Sequence, residues 1–258
     1  MNKPQAGAQA VARALRLLEL FTDQSPTLSA ADAADAARLN RTTTYRLLSA
    51  LEDVGLLARD PGDELYRLGP GAIALGARAM RANPLQRAAQ AELQALATQS
   101  GETATLEIPV EADMLIAAEA VSAHLLGSAP SLGTRWPMHA TSTGKAYLAA
   151  LPAEVRAAWL AGARRLRALT PRTQTRLPAL RRSLDLIRRT GFSTVRDELE
   201  RGYSACGAAV LDHRGLPVGA LSLGGPSARL TATRLNALGA VVVAAAARVS
   251  AALGYTGA

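Results

Sequence analysis

The stretch Leu28 to Leu51, LSAADAADAARLNRTTTYRLLSAL, constrains the fold of this chain more than any other. Ser29 precedes a run of helix formers, with Asp32 three residues on. That spacing lets the hydroxyl and the carboxylate each meet an orphan backbone N–H at a helix start. The Ala-rich turns from Ala30 to Ala37 stop at Arg38-Leu39-Asn40, and a helix so short does not stand alone in water. Asn40 can cap a second helix whose Leu47, Leu48 and Leu51 share one stripe. The opposite stripe carries Arg41, Thr42, Tyr45, Arg46 and Ser49. Two short helices, a tight turn and one hydrogen-bonding face describe a helix-turn-helix. An ordinary helical hairpin in a core has the same pattern.

The flanking residues extend the motif. Gly55 stands where a left-handed helix stop wants glycine. Leu56 to Arg59, a turn at Asp60-Pro61-Gly62-Asp63, and Leu65 to Leu68 read as a β-hairpin, giving the order of a winged helix. Before it, Ala8 to Phe21 predicts an amphipathic helix with Val11, Leu15, Leu18 and Phe21 packed beneath the motif. After it, a helix over Ala72 to Arg81 ends near Asn83-Pro84, because the residue before proline avoids helix, and Leu85 to Gln99 follows as another.

From Thr103 the period changes to that of strands. Thr103 to Val110, Met114 to Ala120, His124 to Gly127, Ser193 to Arg196, Tyr203 to Leu211 and Leu216 to Leu223 are the predicted strands. The turn Asp212 to Gly215 makes a hairpin of the last two. Helices are predicted at Thr143 to Ala150, Pro152 to Leu160, Leu177 to Arg189 and Ala228 to Leu253. Strands and helices intermixed without βαβ alternation argue an α+β domain with an antiparallel sheet.

With these elements in place, the chain resembles the IclR-type bacterial transcription regulators over nearly its whole length. The marks are TTTYRLLSAL, the glycine of VGLL, the YRLG of Tyr66 to Gly69, GTRWPMHATSTGKAYLA (Gly133 to Ala149) and GFSTVRDELERGYSACGAAVLDHRGLPVGALSLGG (Gly191 to Gly225). The resemblance implies a winged helix-turn-helix DNA-binding domain over residues 1–69 and a linker helix over 70–83. A GAF-like domain for effector binding and oligomerisation would then cover 84–258. It implies a homodimer or homotetramer on double-stranded DNA, answering a small organic acid and controlling genes for its catabolism. The linker helix would join subunits through the small face of Gly71, Ala72, Leu75, Ala79 and Met80, though a plain spacer helix fits the same residues.

Charge adds less than it promises. The net charge is +8, yet Met1 to Arg81 holds ten Lys/Arg against nine Asp/Glu, and Arg156 to Arg189 holds ten arginines and one acid. Global charge is therefore no footprint of DNA binding. The arginine-rich stretch reads first as a solvated helix face and second as a DNA or partner surface. The local cluster of Arg38, Arg41 and Arg46 is the better signal. Candidate DNA contacts are Arg38, Arg41, Thr42, Thr43, Tyr45, Arg46, Arg59 and Arg67, with Thr43 and Arg46 suited to phosphate. Arg38 stands where the family often has a turn glycine, which strains the turn. Asp60, Asp63 and Glu64 make the hairpin tip acidic and disfavour deep minor-groove insertion.

For the effector, the resemblance carries over Ser142, Thr143, Gly144, Asp197, Glu198, Ala205, Ser222 and Gly224. Hydroxyls and a glycine at a helix start leave N–H groups that attract a carboxylate. The small residues Ala205 to Ala209 leave room for a ligand or for a closely packed helix. Several family members have cysteine and serine where Ala205 and Gly224 stand, so the expected ligand is a more apolar or bulkier acid. Cys206 is expected to face the core.

Other chemistries fail on the residues. The phosphate loop needs glycine at His139 and Ser or Thr at Ala146. Gly202-Tyr203-Ser204-Ala205-Cys206 lacks the last glycine of a nucleophile elbow. No cluster has metal-ligand spacing, so no metal, cofactor or catalytic residue is expected. The one cysteine excludes an internal disulfide framework, Met1 to Ala12 is polar and small, and no run reaches ~18 apolar residues. The expectation is a cytoplasmic regulator with no membrane partner. The alternative is a small-molecule binding or enzymatic domain whose helix-turn-helix serves assembly only.

Overall fold

The computed structural model describes residues 6–257 apart from 23, 60, 61, 63, 123, 125–131 and 164. It divides into two compact units, Met1–Ala82 and Asn83–Ala258. The expected turn at 60–63 and the expected strand over 124–127 lie largely outside the described residues.

The first unit runs α1 (Ala6–Leu18), β1 (Thr27–Leu28), α2 (Ala30–Ala37), α3 (Arg41–Asp53), β2 (Leu57–Arg59), β3 (Tyr66–Leu68) and α4 (Pro70–Ala82). Its core is Leu17, Phe21, Ala33, Leu48, Leu51, Leu57 and Tyr66. The expected face of α1 is corrected here: Val11 and Leu15 are exposed, and the buried stripe is Leu17 with half-buried Ala14 and Leu18. Two apolar stripes at helical spacing compete on α1, and the one that reaches Phe21 and α3 wins. The two-residue β1 was not foreseen; it pairs with β3 and turns the hairpin into a three-stranded sheet, β1-β3-β2. Gly55 leaves α3 with φ 75°, the left-handed exit that glycine takes without strain.

The second unit runs α5 (Pro84–Ser100), β4 (Thr103–Val110), β5 (Asp113–Ala120), β6 (Arg135–Pro137), a 3₁₀ turn (Met138–Ala140), α6 (Ser142–Ala150), α7 (Ala153–Gly162), α8 (Leu177–Thr190), β7 (Ser193–Arg196), β8 (Tyr203–Leu211), β9 (Pro217–Pro226) and α9 (Ala232–Ala252). The sheet is antiparallel throughout, in the order β6-β5-β4-β9-β8-β7. Strand β6, too short to show a period, was missed. Helix α9 begins later than expected because Thr231 caps it, its side chain accepting from Arg234 N–H.

Alternation along the strands sorts side chains to two faces. Ala104, Leu106, Cys206, Ala208, Leu221 and Leu223 pack against α5 and α9, with Leu235, Val242 and Val249 opposite them. Helix α9 is long and apolar enough to cross a membrane, but one face of it, with Leu235, Val242, Ala245, Ala246 and Val249, is buried in this core. The other face meets Met138, Leu148, Leu180 and Leu184 from the 3₁₀ turn, α6 and α8. Cys206 faces the α5–α9 core, where burial pushes its thiol pKa up to about 12.

Candidate nucleic-acid interface and effector site

The first candidate surface is built by caps. Ser29 Oγ donates to Asp32 Oδ2 at 2.7 Å and accepts from Asp32 N–H at 3.1 Å, starting α2. Arg38 ends α2 at φ 54°, ψ 43°, and its N–H donates to Ala34 and Asp35 carbonyls. An arginine in that left-handed position costs about 1 kcal/mol relative to glycine. Asn40 Oδ1 then accepts from Thr43 N–H at 2.8 Å and starts α3. Thr44, Leu48 and Leu51 of α3 are buried. Arg41, Thr42, Tyr45 and Arg46 are exposed on the opposite face, Tyr45 by 53%. Arg38, Arg41 and Arg46 form no ion pair with any described residue.

The other expected contacts are placed differently. Thr43 is half-buried and its N–H serves the cap. Arg59 is held inside the unit: its guanidinium pairs with Glu52 at 2.9 Å and lies 4.9 Å from the centroid of the Tyr66 ring. Arg67 is half-buried on β3 opposite Ala58 and Thr27. The structure therefore groups Arg38, Arg41, Thr42, Tyr45 and Arg46 at the front of α3 and gives Arg59 a partner of its own.

The second candidate surface lies on the α6 side of the six-stranded sheet. Thr141 caps α6, accepting from Gly144 N–H at 3.0 Å, and Lys145 N–H reaches Thr141 O at 3.1 Å. Among the described hydrogen bonds the N–H groups of Ser142 and Thr143 have no acceptor. A Cβ at Gly144 would collide with the backbone of Met138, so this glycine lets α6 sit on the 3₁₀ turn. Ser142 O accepts from Ser193 Oγ at 2.5 Å, fixing α6 to β7.

Asp197 and Glu198 are both engaged by the fold. Asp197 adopts φ 57° and its Oδ1 accepts from Gly202 N–H at 2.8 Å and Ser227 Oγ at 3.0 Å. These donors, Gly202 first, hold its carboxyl below the usual range. Glu198 takes both carboxylate oxygens to Lys145 Nζ, each at 2.7 Å. Lys145 is 1% exposed; burial pulls its ammonium pKa down and Glu198 opposes the pull. Thr170 and Thr173 hydroxyls hold the Asp197 and Glu198 carbonyls at 2.6 and 2.7 Å. The acidic segment is thus a braced corner rather than a row of free carboxylates.

Register brings Ala205, Gly224, Ser222 and Gly207 together, since Ala205 pairs with Gly224 and Gly207 with Ser222. A Cβ at Gly224 would strike the Tyr203 hydroxyl, so the Tyr203 ring lies over the small wall. The polar groups that reading the sequence missed are Glu107, Thr105 and Tyr203. Thr143 Oγ1 donates to Glu107 Oε2 at 2.5 Å, Thr105 Oγ1 donates to Glu107 Oε1 at 3.1 Å, and Thr105 and Ser222 hydroxyls are 2.8 Å apart. Glu107 is 6% exposed, and burial, only partly offset by Thr143 and Thr105, raises its pKa to about 7. Burial, reinforced by Glu107, also raises the pKa of Tyr203. Beside the small residues Ala205 and Gly224 this face therefore carries a phenol, a carboxyl and hydroxyls. The only signal available was Glu107 itself, an acid inside an apolar strand.

Elsewhere, buried His139 is hydrogen-bonded through Nε2 to Arg167 O at 2.9 Å. A concavity of about 670 Å³ is lined by Arg165, Leu166, Arg167, Ala168 and Thr175. None of these residues belongs to the expected effector set. No His/Cys/Asp/Glu cluster among the described residues could hold a metal.

Comparison with known proteins gives the family of both units. Residues 10–61 match the IclR helix-turn-helix domain, and residues 77–251 match the bacterial transcriptional regulator IclR C-terminal family. The HTH-type transcriptional repressor AllR of Klebsiella pneumoniae is 31% identical over 97% of this chain and 92% of its own length. The crystal structure of an IclR transcriptional regulator from Alicyclobacillus acidocaldarius superposes with TM-score 0.86 at 27% identity, over 95% of this chain and 99% of that one. An IclR homolog from Microbacterium hydrocarbonoxydans, solved with 4-hydroxybenzoate, gives 0.82 at 25% identity, over 95% and 98%. A chain with this motif order, this sheet and these matches belongs to the IclR family of bacterial DNA-binding transcription regulators and is not an enzyme.

Proposed function

We propose that this regulator binds operator DNA as a homodimer and represses genes for use of a small organic acid, which it senses through its C-terminal unit. The observation that carries the reading is the division of α3, with Thr44, Leu48 and Leu51 buried and Arg41, Thr42, Tyr45 and Arg46 outward. A helix with such a face fits the major groove, where arginine pairs with guanine edges and hydroxyls and arginines hold phosphates. Arg38 and Thr43 extend the phosphate contacts. Arg67 supplies a cation from the hairpin, and Arg59, paired with Glu52, braces α3 against it. Residues 1–69 act as the DNA reader, 70–83 as the linker and 84–258 as the sensor. The reader works on chromosomal DNA, which places the protein in the cytoplasm.

Dimerisation is supported by α4, thirteen residues without one buried side chain, on which Ile73 is 73% exposed and Leu75 and Met80 are exposed too. An apolar helix face left in water marks a contact with another molecule, and two-fold pairing of identical faces is the commonest solution. Gly71 seats the start of α4 within the unit, its N–H donating to Gly55 O at 2.8 Å. The effector carboxylate meets the free N–H groups of Ser142 and Thr143, where the helix dipole favours an anion. A relative solved with 4-hydroxybenzoate supports an acid of that size.

Replacing Arg41 and Arg46 by alanine tests the reading. Gel retardation of the promoter fragment held by the wild type is expected to be lost, with dimer mass and acid-induced thermal shifts kept. Unchanged DNA affinity would remove α3 as the recognition helix and favour a helix-turn-helix used for assembly alone.

A further inference from the structure

Thr143 and Ser222 stand at two sides of the face assigned to the effector, 79 positions apart in the chain, and one carboxyl group links them. Glu107 accepts from Thr143 directly and reaches Ser222 through Thr105. An ionised carboxylate has room for about four hydrogen bonds. Glu107 receives two, both from neutral hydroxyls, and no arginine, lysine or backbone N–H among the described residues donates to it. The buried cation on α6, Lys145, is committed to Glu198. The phenol of Tyr203 lies over Gly224 on the same face. This buried group is short of donors, in a site that otherwise offers small side chains and free helix N–H groups.

We propose that Glu107 is the specificity-determining residue of the effector site, accepting a hydrogen bond from a hydroxyl or amino group on the acid. The proposal rests on the effector reading above. Two carboxylates cannot share a poorly solvated site without one being forced to take a proton. Glu107 therefore keeps the carboxylate of the ligand off its own oxygens and leaves them to the donor-bearing end of the acid. An acid without that donor leaves Glu107 under-donated, and a site built to receive a donor rejects the analogue lacking it far more strongly than a hydrophobic pocket rejects a missing methylene. Burial raises the pKa of Glu107, and the hydroxyls of Thr143 and Thr105 offset that rise only in part.

The test uses the full chain at pH 7.5 and matched acids, lactate against propionate, and 4-hydroxybenzoate and 4-aminobenzoate against benzoate. Titration calorimetry and melting shifts are read for the wild type and Glu107→Gln, whose own melting transition shows that it is folded. The wild type is expected to bind a substituted acid roughly ten- to a hundredfold more tightly than its unsubstituted partner, the range for a hydrogen bond to a charged group. In Glu107→Gln that ratio is expected to fall to about threefold or less, since a neutral amide oxygen is a weaker acceptor. A wild type without preference, or a preference unchanged in the glutamine variant, overturns the assignment of Glu107 alone. If neither protein binds any of the acids while both retard operator DNA, the effector reading falls and the proposal with it.

Discussion

Glu107→Gln also makes a sharp prediction about stability that needs no ligand. In the folded chain the carboxyl has a pKa of about 7 against 4.5 for the free group, with burial the largest cause. Between those values the folded state keeps a proton that the unfolded state has released, so stability falls as pH rises through the window. The penalty is small below pH 4.5 and nearly complete by pH 8. At 1.36 kcal/mol per tenfold in proton affinity, the loss between pH 5 and pH 8 amounts to about 2.5 kcal/mol. Glutamine mimics the protonated acid: its oxygen can accept from Thr105 and its amide can donate to Thr143 Oγ1. The variant should therefore match the wild type near pH 4 and exceed it by about 3 kcal/mol at pH 8. Urea unfolding followed by tryptophan fluorescence measures this, because Trp136 and Trp159 both lie in the second unit and report its transition. Other titrating groups are common to both proteins and cancel in the difference. Parallel pH profiles for the two proteins would show that Glu107 is solvated or paired, and would refute the argument from burial.

Three further outcomes follow from the same geometry. Lys145→Met strands the buried Glu198 carboxylate and should destabilise the second unit by about 3–5 kcal/mol in urea, whereas Lys145→Met with Glu198→Leu should recover part of that loss. Arg38→Gly relieves the left-handed arginine and should raise first-unit stability by about 1 kcal/mol by thermal denaturation, while lowering the salt dependence of operator binding by about one phosphate contact. Asn40→Ala removes the cap of α3 and should cost about 1 kcal/mol by the same measurement, with weaker operator binding because the first turn of α3 carries Arg41 and Thr42.

The helix-turn-helix was legible because its signals are local. Ser29 and Asp32, Asn40 and Thr43, and Gly55 act within four residues of the helix ends they set, and the Leu48–Leu51 stripe needs only the helical period. The pattern on α1 was ambiguous for a reason equally local: Val11 with Leu15 and Leu17 with Phe21 are both separated by four residues, and only the position of α3 decides between them. Arg59 read as a free cation until the fold brought Glu52 beneath it.

Sequence alone determined the family, the order of the longer elements and the cut between strand-rich and helix-rich segments, because propensity, capping and hydrophobic period are written in neighbouring residues. Tertiary structure alone decided the chemistry of the sensor face. Glu107, Thr143 and Ser222 meet through strand register and through the seating of α6 on the sheet, and neither can be read within one segment. Whether a carboxyl is a solvated charge or a buried acceptor depends on how much water the rest of the chain removes from it.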